Sequence, residues 1–105
     1  MATNRMEILL GMVAKNPQDS FARYALAMEY AQTGDLERAI AEYKTLIGFN
    51  PDYAAAYYHG GQALEKLGRV EEAREVYQKG IEATARTGDQ HTRSELEAAR
   101  DMLPL

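Results

Sequence analysis

The chain has no cysteine and no tryptophan, and holds only three prolines, two phenylalanines and two histidines in 105 residues. Without cysteine there can be no disulfide, no thiolate nucleophile and no cysteine-ligated zinc. The absence fits a reducing compartment, and a cytoplasmic protein is expected. The prolines stand at positions 17, 51 and 104, and none interrupts a long periodic run. Helix is therefore permitted through nearly the whole chain. There is no basic run, and 16 acidic residues outweigh 12 basic ones for a net charge of −4. Such a balance gives no electrostatic footprint for nucleic acid. No apolar stretch approaches the length that spans a bilayer, so no membrane association is expected. The N-terminus shows no basic segment followed by an apolar one, and no signal peptide is expected.

What is present is ordinary for a folded domain: 46% hydrophobic and 27% charged residues, in a length that suits one domain. The chain is organised by a repeat. Asn16-Pro17-Gln18-Asp19 returns as Asn50-Pro51-Asp52-Tyr53, 34 residues later. Residues 20–53 laid over 54–87 without gaps pair Ala22 with Ala56, Tyr24 with Tyr58, Gly34 with Gly68, Glu37 with Glu71, Ala39 with Ala73, Tyr43 with Tyr77 and Ile47 with Ile81. Each match has a physical use. A glycine ends a helix where a left-handed residue is needed. The alanine five residues on lets two helices approach. The tyrosine one turn further lies on the same helical face and fills the space beside it.

Hydrophobic periodicity predicts helices over 3–14, 18–32, 36–48, 52–67, 70–85 and 90–103. Asn16 is expected to cap the second helix, with Pro17 at its first position. Thr92 and Glu95 have the spacing of a capping box, which allows the last helix to start as late as Ser94. The adjacent Gly60 and Gly61 fall mid-helix, where close helix packing is the expected reason.

A 34-residue unit with these landmarks resembles the tetratricopeptide repeat. The first unit offers Leu26-Ala27, Tyr30, Gly34, Ala39, Tyr43, Leu46 and Pro51; the second offers Tyr57, Gly61, Leu64, Gly68, Ala73, Tyr77, Gly80 and Ala85. The chain departs from the family pattern at Arg23, where a bulky residue is expected, at Gly60, where leucine is, and at Ala85, where proline is. The resemblance implies an all-α, right-handed superhelix of about six antiparallel helices. Its expected organisation is a single domain, residues 1–105: an N-terminal half-repeat at 3–17, units at 20–53 and 54–87, and a capping helix at 88–103.

It also implies a protein–protein interaction module whose concave groove is lined by the first helix of each unit. Carried over, the groove set is Phe21, Tyr24, Ala25, Met28 and Gln32, then Ala55, Tyr58, His59, Gln62 and Lys66, then Asp89, Thr92, Arg93 and Leu96. Tyr24, Met28, Tyr58, His59, Gln62 and Arg93 are the expected partner contacts. Tyr24 and Tyr58 share a repeat position and are expected to stack as a ladder. Phe21 and Met28 are left open between core and groove. One subclass of the family clamps a terminal carboxylate with lysine, asparagine and arginine. The matching positions here are Tyr24, Met28, His59, Asp89 and Arg93, of which only Arg93 fits, so recognition of a protein or peptide by aromatic and polar contacts is expected instead. The alternative is a self-associating structural module, a homodimer built through the groove or an end helix.

The residues suggest no catalytic chemistry and no cofactor. His59 and His91 are separated by a helix and a turn, with no cysteine near them, which argues against a metal site. Glu71-Glu72 lies in a first helical turn, where the helix dipole favours acids. No enzyme is expected.

Overall fold

Helix punctuation divides the chain. The computed structural model describes residues 3–105, and those residues form six α-helices and no strand. They are α1 (Thr3–Lys15), α2 (Ser20–Gln32), α3 (Leu36–Phe49), α4 (Ala54–Lys66), α5 (Val70–Thr87) and α6 (Gln90–Asp101). Each packs on the next, and α4 also touches α6.

Three of the turns end on a glycine in the left-handed region: Gly34 at φ 89°, Gly68 at 76° and Gly88 at 78°. At Gly34 and Gly68 the next residue closes the turn, with Asp35 N–H donating to the Tyr30 carbonyl and Arg69 N–H to the Leu64 carbonyl, each at 2.9 Å. This bond across five residues satisfies a carbonyl the helix end would leave open.

The Asn-Pro segments work differently from the sequence expectation. Asn16 does not cap α2. Residues 16–18 form a turn, Asp19 N–H donates to the Asn16 carbonyl at 3.0 Å, and Asp19 is the cap, its carboxylate accepting from Ala22 N–H at 3.0 Å. Asn50-Pro51 makes the corresponding turn before α4, with Tyr53 N–H donating to the Asn50 carbonyl. The proline thus serves the turn, not the first helical position, and α2 and α4 start two residues later than the periodicity suggested. α6 is capped by Asp89, which accepts from Thr92 N–H at 3.1 Å. The helix therefore starts at Gln90, and Thr92 is inside it. That bond also holds the Asp89 carboxyl below its usual range.

The core forms where the repeat landmarks meet. Ala39 and Ala73 are fully buried, and so in effect are Tyr43 and Tyr77 one turn later. A Cβ on Gly61 would stand 2.2 Å from Cε1 of Tyr77, and one on Gly80 would stand 2.6 Å from Cβ of Tyr57 and 2.9 Å from Cδ1 of Leu96. These glycines let α4 lie against α5, and α5 against α4 and α6, at distances no side chain would allow. Leu96, placed in the groove set, is instead fully buried in this packing. The inward stripe of α6 outweighs its repeat position.

Where the repeat pattern calls for a bulky residue, Arg23 does the filling. Its guanidinium donates to Glu42 on α3 at 2.8 Å and to the Pro17 carbonyl at 2.6 Å. The pair ties α2 to α3 and to the turn before it. Asn50 Nδ2 donates to Ser20 Oγ at 2.9 Å, which joins the end of α3 to the start of α2.

Candidate functional site

α2 and α4 run side by side with only slight mutual contact, and α3 forms the floor between them. The gap is a surface pocket of about 170 Å³, lined by Met28, Ala31 and Gln32 of α2, Leu36 and Tyr43 of α3, and His59, Gln62, Ala63 and Lys66 of α4. Its floor is apolar and its rim is polar. Tyr43 is almost fully buried and forms part of this floor, and its hydroxyl donates to Met28 Sδ at 3.0 Å.

Beside the pocket the aromatic residues cluster. The Tyr24 ring lies 5.4 Å from Tyr53, 5.8 Å from His59 and 6.3 Å from Tyr43, centroid to centroid. Tyr58 meets His59 edge-on at 5.4 Å. The expected ladder of Tyr24 on Tyr58 is therefore not a direct stack: His59 sits between the two rings. Adjacent helices place equivalent positions far enough apart for one more ring, and the residue after Tyr58 supplies it. Tilted and edge-on contacts are the favoured aromatic geometries.

Burial sets the protonation of the cluster. It pushes the Tyr24 hydroxyl up, with Tyr53 adding to the effect, and pushes Tyr43 up much further. The Tyr24 and Tyr43 hydroxyls stay neutral donors at any ordinary pH. Burial pushes His59 down from 6.5, and Glu95 opposes that in part. His59 is then neutral at pH 7, offering one nitrogen as donor and one as acceptor.

Of the six residues expected to contact a partner, Met28, His59 and Gln62 line the pocket, and Tyr24 and Tyr58 flank it through His59. Arg93 is not brought there. It lies on α6, its Nε buried without a hydrogen bond and 3.5 Å from Glu97 Oε2. Met28 proves to be both core and groove, packing on Tyr43 while lining the pocket. Phe21 is neither buried nor in the pocket; it is 67% exposed. Sequence reasoning missed Leu36, Tyr43 and Tyr53. Leu36 and Tyr43 lie on the apolar stripe of α3, and a helical wheel does not show that residues on a core-facing stripe also line a pocket between two neighbouring helices.

The pocket is smaller than the roughly 300–1,000 Å³ of a small-molecule site, and its size suits a side chain. Among the described residues no group of three or more His, Cys, Asp or Glu could hold a metal ion. No helix described is long and apolar enough to cross a membrane.

Comparison with known proteins agrees with the geometry. A family profile described as tetratricopeptide repeat matches residues 24–87. The chain belongs to the tetratricopeptide repeat family. It is similar to TPR repeat-containing protein PA0015 of Pseudomonas aeruginosa, 29% identical over 87% of each chain. It is 30% identical, over 65% of its own length and 44% of the relative's, to the photosystem I assembly protein Ycf3 of Rippkaea orientalis. Among solved structures it resembles a tetratricopeptide repeat domain protein from Salinibacter ruber, with a TM-score of 0.76 and 40% identity over 81% of this chain and 86% of the other. Tetratricopeptide repeat proteins generally mediate protein–protein interactions or assembly.

Proposed function

We propose that this protein holds a peptide segment or helix of a partner protein in the groove between α2 and α4. The reading rests on one observation: a pocket with an apolar floor of Met28, Leu36 and Tyr43 and a hydrogen-bonding rim of Gln32, His59, Gln62 and Lys66. An apolar side chain of the partner seats on the floor, and the rim fixes its backbone. Tyr24 and Tyr58 extend the contact as rigid aromatic walls of the kind that concentrate binding energy. A single lysine at the rim, with no second cation beside it in the pocket, supports a peptide recognised along its length over a clamped terminal carboxylate. The kinship with a protein named for photosystem I assembly supports a holding role over a chemical one.

Truncating Tyr24 would disturb the core it packs on, so the test uses the rim. Gln62→Glu combined with Lys66→Glu changes exposed or half-exposed side chains and leaves the floor intact. Affinity for a captured partner peptide is expected to fall at least tenfold, with the helical circular-dichroism spectrum retained and only a small drop in thermal midpoint from acids at the α4 C-terminus. Unchanged affinity would remove the pocket from the binding surface.

A further inference from the structure

α1 carries a second surface that the groove does not use. Its inward side is Leu9, buried, with Met6 and Val13 half-buried. At 3.6 residues per turn, the point opposite Leu9 is Gly11, with Glu7, Ile8, Ala14 and Lys15 all within about 60° of it and Leu10 and Met12 on the two flanks. All seven are exposed, Ile8 to 62% and Leu10 to 43%. A Cβ on Gly11 would meet nothing within 4 Å. Neither Glu7 nor Lys15 has an ion-pair partner among the described residues, although the other end of this helix is tied to α2 by Arg5 and Glu29 at 2.7 Å.

This face is complementary to itself. Turn a second α1 antiparallel about Gly11, and residues whose numbers sum to 22 come to the same height. Glu7 then meets the copy's Lys15 and Lys15 its Glu7. Ile8 comes level with the copy's Ala14 and Leu10 with its Met12, each on opposite sides of the seam, so these apolar residues flank the central charge contacts. Gly11 meets Gly11, where two helices can approach most closely. We infer that α1 is a self-association surface, pairing antiparallel with α1 of a second copy and leaving both grooves open. The occupant is a second copy because the charge pattern matches its own reverse: a foreign helix would have no reason to carry the same register. One helix per copy offers less contact than a standard interface, so the dimer is weak, with Kd on the order of 10 µM to 1 mM.

Sedimentation equilibrium of the full chain at low salt, across that concentration range, tests it. The wild type is expected to rise from monomer toward dimer mass. Glu7→Lys and Lys15→Glu each place like charges across both contacts, and each alone is expected to weaken association at least tenfold. Mixed together, the two variants restore opposite charges at both contacts, so the mixture is expected to associate at least as well as the wild type. Both sites are exposed, and unchanged thermal midpoints confirm intact folds. A wild type that stays monomeric throughout overturns the inference. So does a dimer that both single variants leave unchanged, since it must then use another face such as the groove.

Discussion

Gly61 stands within a helix, where glycine is a poor choice, yet the reason lies on another helix. Replacing it with alanine gains about 1 kcal/mol of helix propensity. The new Cβ would stand 2.2 Å from the Tyr77 ring, which is itself fully buried and has nowhere to go. Overpacking of this kind costs about 1–3 kcal/mol, and a clash with a locked ring belongs at the upper end. Gly61→Ala is thus expected to lower stability in urea melts by about 1–2 kcal/mol. Gly48→Ala, on an exposed helical face with open space around it, is expected to raise it by about 0.5–1 kcal/mol. The reverse order would mean that α4 and α5 are not in close contact. The sequence showed that Gly60-Gly61 meant close packing, because a glycine pair inside a strong helical pattern has few other uses. It could not show that His59 would separate Tyr24 from Tyr58, since ring-to-ring distances depend on the spacing of two helices and not on their repeat positions.

Helices were legible because their ends are marked. The glycines at 34, 68 and 88 stop them, and the apolar stripes run between. The start of α2 was placed too early at Asn16-Pro17, whereas α6 begins at Gln90 as its periodicity predicts, capped by Asp89 and not by Thr92. Several residues in each segment can accept from a helix's first N–H groups, and the chain's path through the turn decides which one is in place. How α2 holds α3 was also hidden. Arg23 looked like a departure from the family pattern, and the structure makes it the link to Glu42. Both side chains are largely covered, at 13% and 20% exposure, so removing one strands the other. Arg23→Met or Glu42→Leu alone is expected to cost about 2 kcal/mol, the scale of a lost charged hydrogen bond. The double substitution should recover much of that, because the two apolar chains can pack on each other. A double-mutant cycle on thermal or urea melts checks this. Strictly additive losses would show that the pair is not coupled across the two helices.

At the scale of the whole molecule, the proposed partner site and the proposed self-association face lie on different helices. The groove between α2 and α4 gathers Met28, Tyr43, His59 and Gln62 from three helices, and all of these but Tyr43 followed from repeat position alone. The α3 part of its floor did not, because Leu36 and Tyr43 belong by pattern to the core and line the pocket as well. Arg93 was assigned by position to the same groove, but α6 carries it outside the pocket. The outer face of α1 lies apart from all of this, so occupancy of the groove and association through α1 can be measured separately.

Partner binding is proposed for the groove between α2 and α4. The most direct test is to select peptides on the immobilised protein from an unbiased display library, then map a selected peptide by amide chemical-shift changes. Binding in the groove is expected to concentrate the changes at Met28, Ala31, Gln32, His59, Gln62 and Lys66, with the α1 face and the outer faces of α3 and α5 unmoved. Changes confined to those outer faces, with the groove residues still, would contradict it.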